Sequence, residues 1–130
     1  MKAAAVLLGA VAAIVAAAPA GACGVCDEDK VAATYDHAVV TRATSTGRVV
    51  VFYEVRGVVD AKRLRAAARR VKGIDVASLR TSTEPAALSF ALKSARQPPE
   101  AAVSALQALA PRGTQLVIVR LQGNGLSIGR

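Results

Sequence analysis

The sequence predicts an α+β domain ordered strand, helix, strand, strand, helix, strand, forming a four-stranded antiparallel sheet with two helices on one face. Three observations carry this. Four stretches that read as strands, at 49–55, 74–81, 86–92 and 114–121, the first rich in β-branched and aromatic residues and the last holding a fully apolar run, are set apart by glycine and proline signals. Two segments with apolar residues at helical spacing follow the first and third stretches. The 108 residues behind a removable leader are one domain's worth of chain, enough to bury a core without staples.

The leader is read at residues 1–22. Lys2 supplies the positive start, an apolar run extends from 3 to 18, and Ala20-Gly21-Ala22 fits the small-residue rule for cleavage before Cys23. The run is shorter than the ~20 residues a spanning helix needs and lacks a stop-transfer charge cluster. The mature protein is therefore expected to be periplasmic or secreted from a bacterium-like cell, without a transmembrane span. Sixteen basic against nine acidic residues remain after cleavage, a balance of +7. Export removes intracellular nucleic acid as a partner, and the cations are scattered along the sequence, so an acidic envelope protein or anionic surface is the expected partner.

The mature chain opens with Cys23-Gly24-Val25-Cys26 and the acids Asp27-Glu28-Asp29, which suit a helix N-terminus. Val31, Ala32, Tyr35, Ala38 and Val39 continue at helical spacing, predicting one helix over 27–40. The Thr/Ser-rich stretch 41–47 reads as a link that completes an N-terminal segment, 23–47. The domain proper spans 48–122. Its first strand, 49–55, exits at Arg56-Gly57. Asp60 is a candidate N-cap for a helix whose stripe Leu64, Ala67, Ala68 and Val71 runs among Lys62, Arg63, Arg65, Arg69 and Arg70, with Lys72-Gly73 closing it. Glu84-Pro85 turns the second strand into the third. Pro98-Pro99-Glu100 starts the second helix, carrying Val103, Leu106 and Leu109, and Pro111-Arg112-Gly113 ends it. Leu116 to Val119 is fully apolar and suits a central strand, after which Gly123-Asn124-Gly125 begins a tail, 123–130.

This order is the split βαβ, or ferredoxin-like, arrangement. Val55-Arg56-Gly57 before the first helix, and Val71-Lys72-Gly73-Ile74-Asp75-Val76 after it, resemble the heavy-metal-associated domain family across residues 48–121. The resemblance implies the fold. It does not carry over that family's metal site, because the loop that holds two cysteines there is here Val58-Val59-Asp60-Ala61-Lys62. RNA-recognition domains share the topology, but they need aromatics on the first and third strands facing one open surface, and the third strand here has one aromatic, Phe90, and no basic-glycine-aromatic signature.

The sharpest chemical feature is the two-residue-spaced pair Cys23 and Cys26. Two thiolates suit Cu(I), or Zn(II) with two further ligands. The pair could instead cycle as a redox couple, although three adjacent acids oppose a negative sulfur at Cys26, or close as a structural disulfide. Ala20-Gly21-Ala22-Cys23 also resembles a lipobox, and acylation of Cys23 would remove the dithiol. His37 is the only histidine and a weak third candidate ligand: along a continuous helix it would stand about 16 Å from Cys26 at ~1.5 Å per residue. A solvated histidine near a helix C-terminus is its plainer reading. No nucleophile-elbow, phosphate-loop or paired-carboxylate signature is present, so catalysis is not expected. The resulting expectation is an exported copper- or zinc-binding protein using Cys23, Cys26 and, weakly, His37. The alternative is a non-catalytic envelope structural or interaction module with a disulfide or a lipid-anchored Cys23, whose basic helix face, through Arg63, Arg65, Arg69 and Arg70, docks an acidic partner.

Overall fold

The fold is built around β1 (Val50–Gly57), whose side chains are buried on both faces over most of its length. Val51, Tyr53 and Val55 point into one apolar cluster, and Val50 and Phe52 into another. A strand flanked by core on both sides reads as a continuous apolar run, as Val49 to Tyr53 does. In this computed structural model, which describes residues 26–123 and 126–129, the order after β1 is α3 (Ala61–Arg69), β2 (Ile74–Thr83), β3 (Ala86–Leu92), α4 (Pro99–Leu109), β4 (Thr114–Gly123) and β5 (Leu126–Gly129). Among the described residues two helices precede β1: α1 (Asp27–Thr34) and α2 (His37–Ser45). The protein is thus α+β, with an antiparallel sheet in the order β2-β3-β1-β4-β5.

Helices α3 and α4 bury Leu64, Ala67, Ala68, Ala102 and Leu106 against one sheet face, together with Phe90, Leu88 and Ile74. Asp60 caps α3 by accepting the Arg63 N–H at 3.0 Å. Gln107 fixes the end of α4 to β4, donating to the Thr114 carbonyl at 2.7 Å and accepting the Leu116 N–H at 2.8 Å.

Three expectations are corrected. The helix predicted over 27–40 is two helices, because Asp36 adopts an extended backbone and its Oδ1 accepts the N–H groups of Ala38 and Val39, starting a new helix. The link predicted over 41–47 is mostly helix. Thr44, Ser45 and Thr46 turn their hydroxyls back onto carbonyls three and four residues earlier, so they need not leave the helix. Gly47, at φ 73°, then ends α2, with its own N–H on Thr44 O and the Arg48 N–H on Ala43 O. The α1–α2 pair is a second helical layer, in which Val31, Val40 and Ala43 cover Val50, Phe52 and Ala91 on the sheet face opposite α3 and α4. Finally, the predicted tail contributes a fifth strand. β5 pairs with β4 from Gly123↔Leu126 to Arg120↔Gly129, a register that leaves two residues between the strands. The Asn-Gly sequence at that place is the strongest short hairpin signal. The predicted leader, 1–22, and Cys23 lie outside the described residues, and no helix among those described is long and apolar enough to cross a membrane.

Candidate functional site

Cys26 stands at the N-cap of α1, exposed to solvent. Its carbonyl accepts the N–H groups of Asp29 and Lys30 at 3.0 and 3.2 Å, so its backbone opens the helix, while its side chain makes no capping bond. The sulfur is therefore uncommitted to the structure of α1. The helix beneath it is firmly placed. Lys30 Nζ reaches Glu54 Oε1 of β1 at 2.9 Å and Asp27 at 3.5 Å, Val31 is buried, and the buried Ser89 hydroxyl of β3 donates to the Thr34 carbonyl at 3.1 Å.

Glu54 is the electrostatic anchor of this layer. Burial pushes its carboxyl up, but hydrogen bonds from Lys30 and Arg56 (3.0 Å) outweigh that and hold it below the usual range. The Lys30 ammonium is raised in return, chiefly by its hydrogen bond to Glu54.

The other sequence-derived candidates do not gather at Cys26. His37 is the first residue of α2, exposed, with Nε2 3.5 Å from the Thr41 hydroxyl. It lies at a helix N-terminus, not the C-terminal end read from sequence, because Asp36 breaks the helix just before it. Cys23 lies outside the described residues. Among the described residues no three histidine, cysteine, aspartate or glutamate side chains form a group able to hold a metal ion.

Two basic surfaces stand out in the fold, one assembled by tertiary pairing and one the basic helix face expected from sequence. The first is a cleft of about 110 Å³ between α2 and the β2–β3 edge, lined by Arg42, Arg48, Arg80, Asp75 and Ser78 among others. It exists because β2 bulges, with four residues, 76–79, set against Phe90 alone. The Ser78 hydroxyl replaces the lost ladder bonds, accepting the Ala91 N–H at 2.7 Å and donating to the Asp75 carbonyl. Arg48 pairs with Asp75 at 3.2 Å and Arg80 with Asp36 at 2.9 Å, so most of the charge in this cleft is already compensated.

The second surface is the outer side of α3. Cations that look scattered over the whole sequence are concentrated here: residues 56–72 hold seven basic side chains and one acidic, a surplus of +6 in a chain of net +8. Lys62, Arg63, Arg65, Arg69 and Arg70 are all exposed, because Leu64, Ala67 and Ala68 take the sheet side. Alternation of long cations with a buried aliphatic stripe made this face, with Arg63, Arg65, Arg69 and Arg70, legible in the sequence. The closure of the bulged cleft depends on tertiary pairing and was not legible there. No family model matches the chain, and no curated protein or solved structure is significantly similar to it.

Proposed function

We propose that this chain is an exported, non-catalytic protein that binds a soft metal ion, Cu(I) or Zn(II), through Cys23 and Cys26, with His37 as the weaker further candidate. The observation that carries the reading is the exposed Cys26 side chain, unused by the helix it caps and separated by two residues from a second cysteine. Two thiolates would supply a soft, anionic donor pair suited to Cu(I) in near-linear geometry. Lys30, Val31 and Thr34 hold α1 on the sheet, so the ion would be presented from a fixed helix end. The ferredoxin-like reading belongs to this proposal and is supported by the strand–helix–strand–strand–helix–strand order and by β3 lying between β2 and β1. Kinship with heavy-metal-associated domains rests on the same order and on the phrases 55–57 and 71–76.

Titrating the reduced protein with Cu(I) against a chromophoric chelator tests the proposal. Stoichiometric binding that disappears in the Cys23→Ser, Cys26→Ser variant is the expected result. Absence of binding, or binding that survives the double substitution, overturns it. A second reading, an envelope module with a Cys23–Cys26 disulfide or an acylated Cys23, is favoured by the exposed arginines of α3, which suit an anionic partner. Intact mass with and without reductant separates the two: a two-hydrogen deficit marks the disulfide, and an added acyl mass marks the anchor.

A further inference from the structure

The outer surface of α3 is bordered by aliphatic side chains that folding leaves in water. Val58 and Val59, in the loop between β1 and α3, are 52% and 37% exposed, and Leu109 at the end of α4 is 37% exposed. Val58 is tied to the α4–β4 turn that follows Leu109. The Val58 N–H donates to the Gly113 carbonyl at 2.9 Å, and the Thr114 hydroxyl donates to the Val58 carbonyl at 2.7 Å. From that turn, Leu109 and Pro111 line an open groove of about 270 Å³ with Arg63, Ala66 and Arg70. Aliphatic tips and long cations thus border the outer side of the α3–α4 layer, with Arg112, next to Pro111 in sequence, also exposed.

We propose that this surface docks on an anionic lipid bilayer, with Val58, Val59 and Leu109 entering the headgroup region and Arg63, Arg70 and Arg112 contacting lipid phosphates. The combination distinguishes the partner. A purely acidic protein surface would satisfy the arginines but leave the valines unburied, and single-stranded nucleic acid calls for stacking aromatics, which residues 56–72 lack. A bilayer surface takes both, since aliphatic side chains partition into its interface while cations gain from its negative potential.

Flotation of the full chain with vesicles of phosphatidylglycerol and phosphatidylcholine, compared with phosphatidylcholine alone, reads the interaction. Binding should require the anionic lipid and weaken as salt rises. Each cation near such a surface contributes about fivefold (~1 kcal/mol), so Arg63→Gln, Arg70→Gln should lower the partition coefficient about 25-fold. Val58→Ser, Val59→Ser should lower it roughly tenfold through lost apolar burial. Parent and variants share the same leader and cysteines, so any contribution from residues 1–25 is common to all. Circular dichroism checks that these exposed substitutions leave the fold intact. Equal binding to neutral vesicles, variants that partition like the parent, or a parent that ignores vesicles yet binds polyglutamate would each overturn the proposal, the last assigning the surface to an acidic protein.

Discussion

Arg80 and Asp36 join the sheet edge to the second helical layer across 44 residues of chain. Both Nε and Nη2 of Arg80 reach Asp36 Oδ2, at 3.1 and 2.9 Å, while Asp36 Oδ1 caps α2. Arg80 also donates to the carbonyls of Ala77 and Leu79, so one guanidinium ties the β2 bulge to the break between α1 and α2. The two carboxylate oxygens have separable jobs. Asp36→Asn keeps a capping oxygen and loses the charge pair, whereas Asp36→Ala loses both. Melting temperatures should therefore fall in the order parent, Asn, Ala, and equal values for Asn and Ala would show that the cap contributes nothing.

The same layer should make stability sensitive to acid. The Arg80 guanidinium holds the Asp36 carboxyl below its ordinary 3.8, and Lys30 and Arg56 hold Glu54 below 4.5 despite its burial. A carboxyl with a lowered folded-state pKa binds protons more readily in the unfolded chain, so its stabilising contribution is complete above the ordinary value and disappears as pH falls through the folded one. Lys30, raised above 10.5, contributes below that pH and loses its contribution as pH climbs past its folded value. Stability of the parent against urea should fall below about pH 4.5. Glu54→Gln should flatten that acid limb, and superimposable acid limbs would refute the assignment.

Tyr53 places a phenol in the apolar core between the sheet and α3–α4, its ring 5.1 Å from that of Phe90, and the hydroxyl finds no hydrogen-bond partner among the described residues. Burial pushes this phenol far up from its ordinary value, with the Glu100 charge adding to the effect. An unpaired buried hydroxyl costs free energy that its removal recovers. Tyr53→Phe should therefore be neutral or more stable by up to ~1 kcal/mol. Leu106→Ala in the same cluster should cost about 2–5 kcal/mol because it opens a cavity. Chemical denaturation of both variants checks the contrast, and a Tyr53→Phe loss comparable to that of Leu106→Ala would mean the hydroxyl has a partner.

The elements of the domain proper were legible in the sequence because each combines a periodicity with a punctuating residue. β3 falls at 86–92 as read, between Glu84-Pro85 and Lys93, and α3 follows its Asp60 cap. The second helical layer was not read, although its trace was present: Val49 to Tyr53 and Leu116 to Val119 are apolar on both sides of the pleat, which requires cover on both faces. The break at Asp36 stayed hidden because Tyr35, Ala38 and Val39 keep helical spacing across it. At the candidate site, Cys26 could be read because the spacing of two sulfurs is local. The Arg48–Asp75 and Arg80–Asp36 pairs could not, since they join residues 27 and 44 positions apart.

Gly57 decides whether the β1–α3 loop can hold Val58 and Val59 where they stand. It ends β1 at φ 79°, a left-handed conformation that side chains resist, and a Cβ there would collide with the Gly113 carbonyl that accepts the Val58 N–H. Gly57→Ala therefore meets both backbone strain and a steric clash with backbone, for which no side-chain rotation offers relief. The strain alone is of order 1–3 kcal/mol. The Val58–Gly113 bond should open first, releasing the loop from the α4–β4 turn. Amide exchange at Val58 should accelerate more than at Val51 in the sheet centre, and a uniform acceleration across both positions would show that the glycine serves global stability only.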